Sequence, residues 1–154
     1  MRAGPRGVRR LAAIIGAGLA LAALPLHVLA QGDAAADPQQ ILLAARAALE
    51  DRLYEVAQRQ FELYVDRTGG PARANEETLA LLLRALHAQG KFPEMLALVR
   101  SLGEKPFAGG AIPFWRALAL YETGKADEAL AQLADFEKRF AGGEYPERAV
   151  RLRA

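Results

Sequence analysis

The sequence predicts an all-α protein assembled from repeated helical hairpins. Three observations carry that expectation. No stretch of useful length alternates apolar and polar residues with period 2, and no Val/Ile-rich run asks for a strand. The chain repeats itself, with Gly90-Lys91 and Gly124-Lys125 lying 34 residues apart, each between two apolar helical stretches. Paired glycines at Gly69-Gly70, Gly109-Gly110 and Gly142-Gly143 punctuate the chain at a similar interval.

The first thirty residues have the layout of a secretory signal peptide: a basic start, an apolar run from Leu11 to Leu24, Pro25, and small or medium residues at Val28 and Ala30. Cleavage is expected before Gln31, which makes residues 1–30 a leader and residues 31–37 a small polar linker. The alternative is an uncleaved anchor in the inner membrane, since Leu11 to Ala30 supplies about the 20 uncharged residues a bilayer crossing needs. With no cysteine anywhere, the exported protein has neither a lipid attachment point nor disulfides, and its fold must rest on its apolar core. A free periplasmic protein of a bacterium, with no integral membrane domain after cleavage, is the expectation.

From residue 38 the elements follow in order. Asp37 is placed to cap a helix, Pro38 fits the first turn, and Gln40 sits where a capping-box partner belongs. Asn75 before Glu76-Glu77 starts a later helix, with acids set against its dipole. LLLRALHAQGKFPEMLALVRSL (81–102) aligns without gaps on WRALALYETGKADEALAQLADF (115–136), pairing Leu86 with Leu120, Leu96 with Leu130, Val99 with Leu133 and Leu102 with Phe136. A weaker copy lies upstream, in which Ala57, Phe61 and Tyr64 correspond to Ala129, Leu133 and Phe136, and Arg52 stands in the place of the turn glycine. Units therefore run over about 38–71, 76–109 and 110–143, with a solvating cap helix at 144–154.

On these residues the chain resembles the tetratricopeptide repeat family, whose unit is a 34-residue helix-turn-helix. The resemblance implies a right-handed solenoid of about three hairpins plus the C-terminal cap. The family packs small residues where its two helices cross, and Ala45 with Ala57 and Ala117 with Ala129 fit that rule. Leu83 with Met95 departs from it, so the second hairpin should be splayed. One hairpin cannot bury its apolar faces alone, which is why three and a polar terminal helix are about the minimum for a continuous core.

The charge pattern excludes a nucleic-acid footprint. Arg2, Arg6, Arg9 and Arg10 are four of the 20 bases, while all 18 acids follow from Asp33 onward, so residues 31–154 carry 16 bases against 18 acids, a charge of −2. Catalytic residue types are scarce in the same segment: one histidine (His87), one serine (Ser101) and no cysteine. Ser101 and His87 fall on opposite helices of one hairpin, with no acid placed behind the imidazole, which does not make a triad. A lone histidine lacks metal-ligand spacing, and the paired glycines come without the lysine and strand of a phosphate loop. Glu50-Asp51, Glu76-Glu77 and Asp127-Glu128 read as solvated helix ends. An enzyme is not expected, and neither is a cofactor or a metal.

What remains is a surface. In the family resembled, the first helix of each hairpin lines a concave groove that takes an extended peptide or a partner helix. Register assigns to it Leu42, Leu43, Arg46 and Leu49 in unit one, Leu81, Arg84 and His87 in unit two, and Phe114, Trp115, Leu118 and Tyr121 in unit three. The residue types suit a partner with alternating apolar and acidic residues met by Arg46 and Arg84. The expected function is a non-catalytic periplasmic scaffold that binds a protein or peptide, with envelope assembly as its setting. The rival expectations are a self-associating adaptor, hence a homo-oligomer, and a regulatory subunit of an envelope enzyme complex.

Overall fold

Each helix begins and ends for a local reason. In the computed structural model, which describes residues 37–103, 105–141 and 145–153, α1 (Pro38–Glu50) starts on Asp37, whose side chain accepts from the Gln39 backbone N–H at 3.1 Å. The cap is therefore made one residue earlier than a capping box with Gln40 would make it. The remaining helices are α2 (Tyr54–Arg67), α3 (Glu76–Ala88), α4 (Phe92–Ser101), α5 (Ala111–Glu122), α6 (Ala126–Leu133), α7 (Phe136–Arg139) and α8 (Tyr145–Arg153). Among the described residues there is no strand, and the protein is all-helical. Asn75 caps α3 by accepting from Thr78 N at 2.8 Å. The expected leader at 1–30 and all of the linker before Asp37 lie outside the described residues. No described helix is long and apolar enough to cross a membrane.

The same reversal occurs three times. Arg52, Gly90 and Gly124 have φ of 60°, 69° and 78°, and the residue after each donates back across the turn: Leu53 N to Ala48 O at 2.8 Å, Lys91 N to Leu86 O at 3.0 Å, Lys125 N to Leu120 O at 2.8 Å. This is the six-to-one closure of a left-handed helix stop. The three sites are 38 and 34 residues apart, as the register of the sequence requires. Arg52 adopts the left-handed conformation without the freedom of a glycine.

Packing follows the crossing residues. Ala45 and Ala57 are fully buried where α1 meets α2, and Ala117 and Ala129 where α5 meets α6. These two pairs pack most intimately, whereas α3 approaches α4 over less of its length. Leu83 and Met95, both fully buried at that crossing, hold the two backbones apart. Neighbouring hairpins then share one core: α2 packs on α3, α4 and α3 pack on α5, and α8 rests on α5, α6 and α7. Phe61, Leu79, Ile112, Leu133 and Phe136 are its largest buried side chains besides the second crossing pair.

Long polar side chains tie one hairpin to the next. Gln89 Nε2 donates to Gln58 Oε1 at 3.0 Å and Lys91 Nζ to the same oxygen at 2.8 Å. Lys105 Nζ reaches Ala72 O at 2.8 Å, and Arg116 Nη2 donates to Val99 O in the last turn of α4 at 3.2 Å and to Gly103 O just beyond it at 2.6 Å. Carbonyls at helix ends otherwise lack partners.

The third hairpin has a break inside its second half. Its second helix stops at Leu133; Ala134 is extended with ψ 143°, and Asp135 is left-handed with φ 51° before α7 begins. Asp is among the few non-glycine residues that visit this region, and Lys138 Nζ holds its carboxylate at 3.0 Å. Phe140 at the end of α7 is buried against the Gly110 backbone, where a Cβ on residue 110 would come within 2.8 Å of its ring.

The turns yield a clean test, because nothing lies within 4 Å of where a Cβ at Gly90 would stand. Gly90→Ala should lower unfolding free energy by about 1 kcal/mol through backbone strain alone, and Arg52→Gly should raise it by up to about 1 kcal/mol. Urea denaturation measures both, and an unchanged Gly90→Ala would remove the left-handed stop as a determinant of stability.

Candidate functional site

One face of α3 is left open by the stacking. Leu79, Leu82, Leu83 and Leu86 turn into the core, and Glu77, Ala80, Leu81, Arg84, His87 and Ala88 form the opposite stripe at helical spacing. That stripe floors two adjoining hollows. The larger, about 880 Å³, is closed by Tyr54, Trp115 and the α8 residues Tyr145 and Arg148. The smaller, about 550 Å³, is bounded by Arg46, Leu49, Glu50 and Arg52. Tyr54, Glu77, Leu81 and Arg84 line both, so the two form a groove that passes over α3 from α1 to α8.

At one end of α3 two acids tie the groove's walls together. Glu76 is in the first turn of α3, yet its carboxylate serves the next hairpin: Oε1 accepts from Ala111 N at 2.8 Å and Ile112 N at 3.4 Å, and Oε2 from Gly109 N at 2.9 Å. Gly110, the residue preceding α5, has no side chain to cap it, and Glu76 caps the helix from 35 residues away in sequence. Gly109 permits the approach, since a Cβ there would stand 3.1 Å from Glu76 Oε2. The acid read as a solvated helix end is thus the bridge between α3 and α5, and the glycine pair is more than punctuation. Glu77 pairs with Arg46 at 2.9 Å and links α3 to α1.

The far end is aromatic. The His87 ring lies 5.7 Å from both Phe92 and Trp115, with Nε2 3.8 Å from Glu122 Oε1. Arg148 spreads over Phe114, Trp115 and Tyr145 at 4.9, 5.6 and 5.4 Å from their ring centres. The geometry suits cation–π attraction. Through these contacts Arg148, on the polar cap helix, meets the aromatic rings of α5.

Of the residues that register assigned to the groove, Arg46, Leu49, Leu81, Arg84, His87 and Trp115 line it. Leu42 and Leu118 do not; each is half-buried and packed against the core. Tyr121 stands 51% exposed and Leu43 67% exposed, both outside the lining, and Phe114 is buried behind Trp115. Tyr54, Glu76, Glu77, Tyr145 and Arg148 were not anticipated. Glu77 was detectable, because residues 77, 81 and 84 share one helical face. Tyr145 and Arg148 share a face of the cap at the same spacing.

The groove sets apolar and aromatic side chains beside arginines and glutamates. Ser101 donates to its own helix at Leu98 O, 2.7 Å away, and takes no part in the groove. Among the described residues no cluster of three or more His, Asp or Glu side chains is arranged to hold a metal ion. No family model matches the chain, and comparison with curated proteins and with solved structures finds no match.

The two adjacent glutamates should separate in their effects. Glu76→Ala strips a charged acceptor from the amides at the start of α5 and should cost about 1.5–3 kcal/mol, with faster hydrogen exchange at Ala111. Glu77→Ala breaks an exposed ion pair and should cost less than about 1 kcal/mol. Equal losses in thermal unfolding would contradict the bridging role of Glu76.

Proposed function

We propose that this protein is a non-catalytic interaction scaffold of tetratricopeptide-like construction, a right-handed solenoid of three hairpins closed by α8, which takes a peptide or partner helix in the groove over α3. The observation that carries the reading is the groove itself. It is built from side chains of three hairpins and the cap, and it combines apolar floor residues with Trp, Tyr and Arg, the types that dominate binding hot spots. Residues 1–30 are read as a leader that directs the chain to the periplasm, where envelope assembly is the setting such a scaffold would serve.

Affinity capture from envelope extract tests this reading with the protein purified from its own host. Leu81→Glu and Arg84→Glu should each lose the captured partner while keeping native helix content by circular dichroism, and Tyr121→Ala, outside the groove lining, should keep it. Loss with Tyr121→Ala alone would move the binding surface elsewhere. The mass of the exported protein should correspond to a chain beginning at Gln31; a mass that retains residues 1–30 would establish the anchored alternative.

A second reading, a self-associating adaptor, is favoured by the first hairpin, where Leu43, Leu53 and Val56 are exposed at 67%, 54% and 37%. Sedimentation at micromolar concentration would give a dimer that Leu43→Lys returns to monomer. A monomer throughout would eliminate this reading.

A further inference from the structure

Resting on the groove reading, we infer that the partner presents a carboxylate to Arg84, on a protein segment in which acidic residues alternate with apolar ones. The charges around the groove leave that group unmatched. Arg46 and Glu77 are paired with each other at 2.9 Å. Glu76 is satisfied by three backbone N–H groups of the next hairpin. Arg148 is spread over the aromatic end. Glu50 and Arg52 line only the smaller hollow, whereas Arg84 borders both. Arg84 lies on the wall common to both hollows and is exposed to solvent, and no described residue offers it a hydrogen bond or an ion pair.

The excess charge is local. The lining holds four arginines (Arg46, Arg52, Arg84, Arg148) against three glutamates (Glu50, Glu76, Glu77), in a segment whose own charge is −2. A polyanion would meet a slightly acidic body, whereas a segment bearing isolated carboxylates meets a positive strip only where it lies. Trp115 lines the larger hollow together with Arg84. Leu81, Ala80 and Tyr54 offer apolar surface beside Arg84, which sets the alternation required of the partner. A fatty acid also combines a carboxylate with apolar carbon, but its chain needs an unbroken apolar wall, and Glu77, Arg84 and His87 interrupt this one.

Trp115 is the only tryptophan in the chain, so its fluorescence reports occupation of the groove. The full exported protein would be titrated with three end-capped synthetic peptides of alternating Glu-Leu, Gln-Leu and Lys-Leu sequence, and with oleate. The Glu-Leu peptide should shift the emission saturably and bind at least about tenfold tighter than the Gln-Leu peptide, as a charge-assisted contact implies. Arg84→Gln should erase that preference with unchanged circular dichroism, Arg84→Lys should keep part of it, and Arg100→Gln, on α4 away from the groove, should keep all of it. Equal binding of the Glu-Leu and Gln-Leu peptides, or a preference that survives Arg84→Gln, would overturn the acidic partner and leave the groove reading standing. Saturable binding of oleate in place of any peptide would assign the groove to a lipid. If no probe perturbs Trp115, the inference falls, and the groove reading is then decided by the captured partner and its loss with Leu81→Glu.

Discussion

Each helical hairpin of this protein reverses its chain within three residues, and all three reversals use the same backbone geometry at their centre. Each of the three hairpins places a single residue in the left-handed region, and the next amide closes back onto the preceding helix. This geometry makes the paired helices neighbours, so that the crossing alanines can meet. The spacing of residues along α3 then sends its leucines to the core and leaves the other face to line the groove.

The second hairpin depends more than the others on its neighbours. Leu83 and Met95 keep α3 and α4 from the close approach that alanine permits elsewhere. The contacts that compensate come from adjacent units: Gln89 and Lys91 grip Gln58 of the first hairpin, Lys105 holds the loop before α3, and Arg116 of the third hairpin ends α4. Glu76 completes the set by capping α5. With its own crossing loose, the second hairpin is held in good part by these ties to its neighbours. The groove floor belongs to the unit that is most dependent on being flanked.

Much of this was legible in the sequence where the information is local or periodic. The helices and their reversal points follow from apolar spacing and from glycines in register, and even Arg52 could be assigned to the turn because Ala57, Phe61 and Tyr64 fixed its offset. The loose second crossing was legible from the size of Leu83 and Met95. Long-range pairings were not legible. Nothing in Glu76 distinguishes a first-turn acid facing water from one that reaches 35 residues ahead to another helix, and Arg148 on a polar cap gives no sign of the rings it will cover. The break at Asp135 was hidden too, since Leu133, Phe136 and Phe140 keep helical spacing across it. Register alone placed Leu42, Leu118 and Tyr121 in the groove, because it gives the helix face and not the depth to which neighbours cover it.

The kink at Asp135 bears on how an array like this can grow. An unbroken second helix would offer the third hairpin's outer surface as a landing place for another hairpin. Instead the chain turns aside, Phe140 folds back onto Gly110, and α8 rests on α5, α6 and α7. A further unit added behind the third would meet α8 where it rests on α5, α6 and α7, whereas one duplicated from the second would carry its own left-handed turn at Gly90. Lengthening by internal duplication, whether by evolution or by design, is therefore directed to the middle of the chain, and each added copy would bring another groove stripe with it.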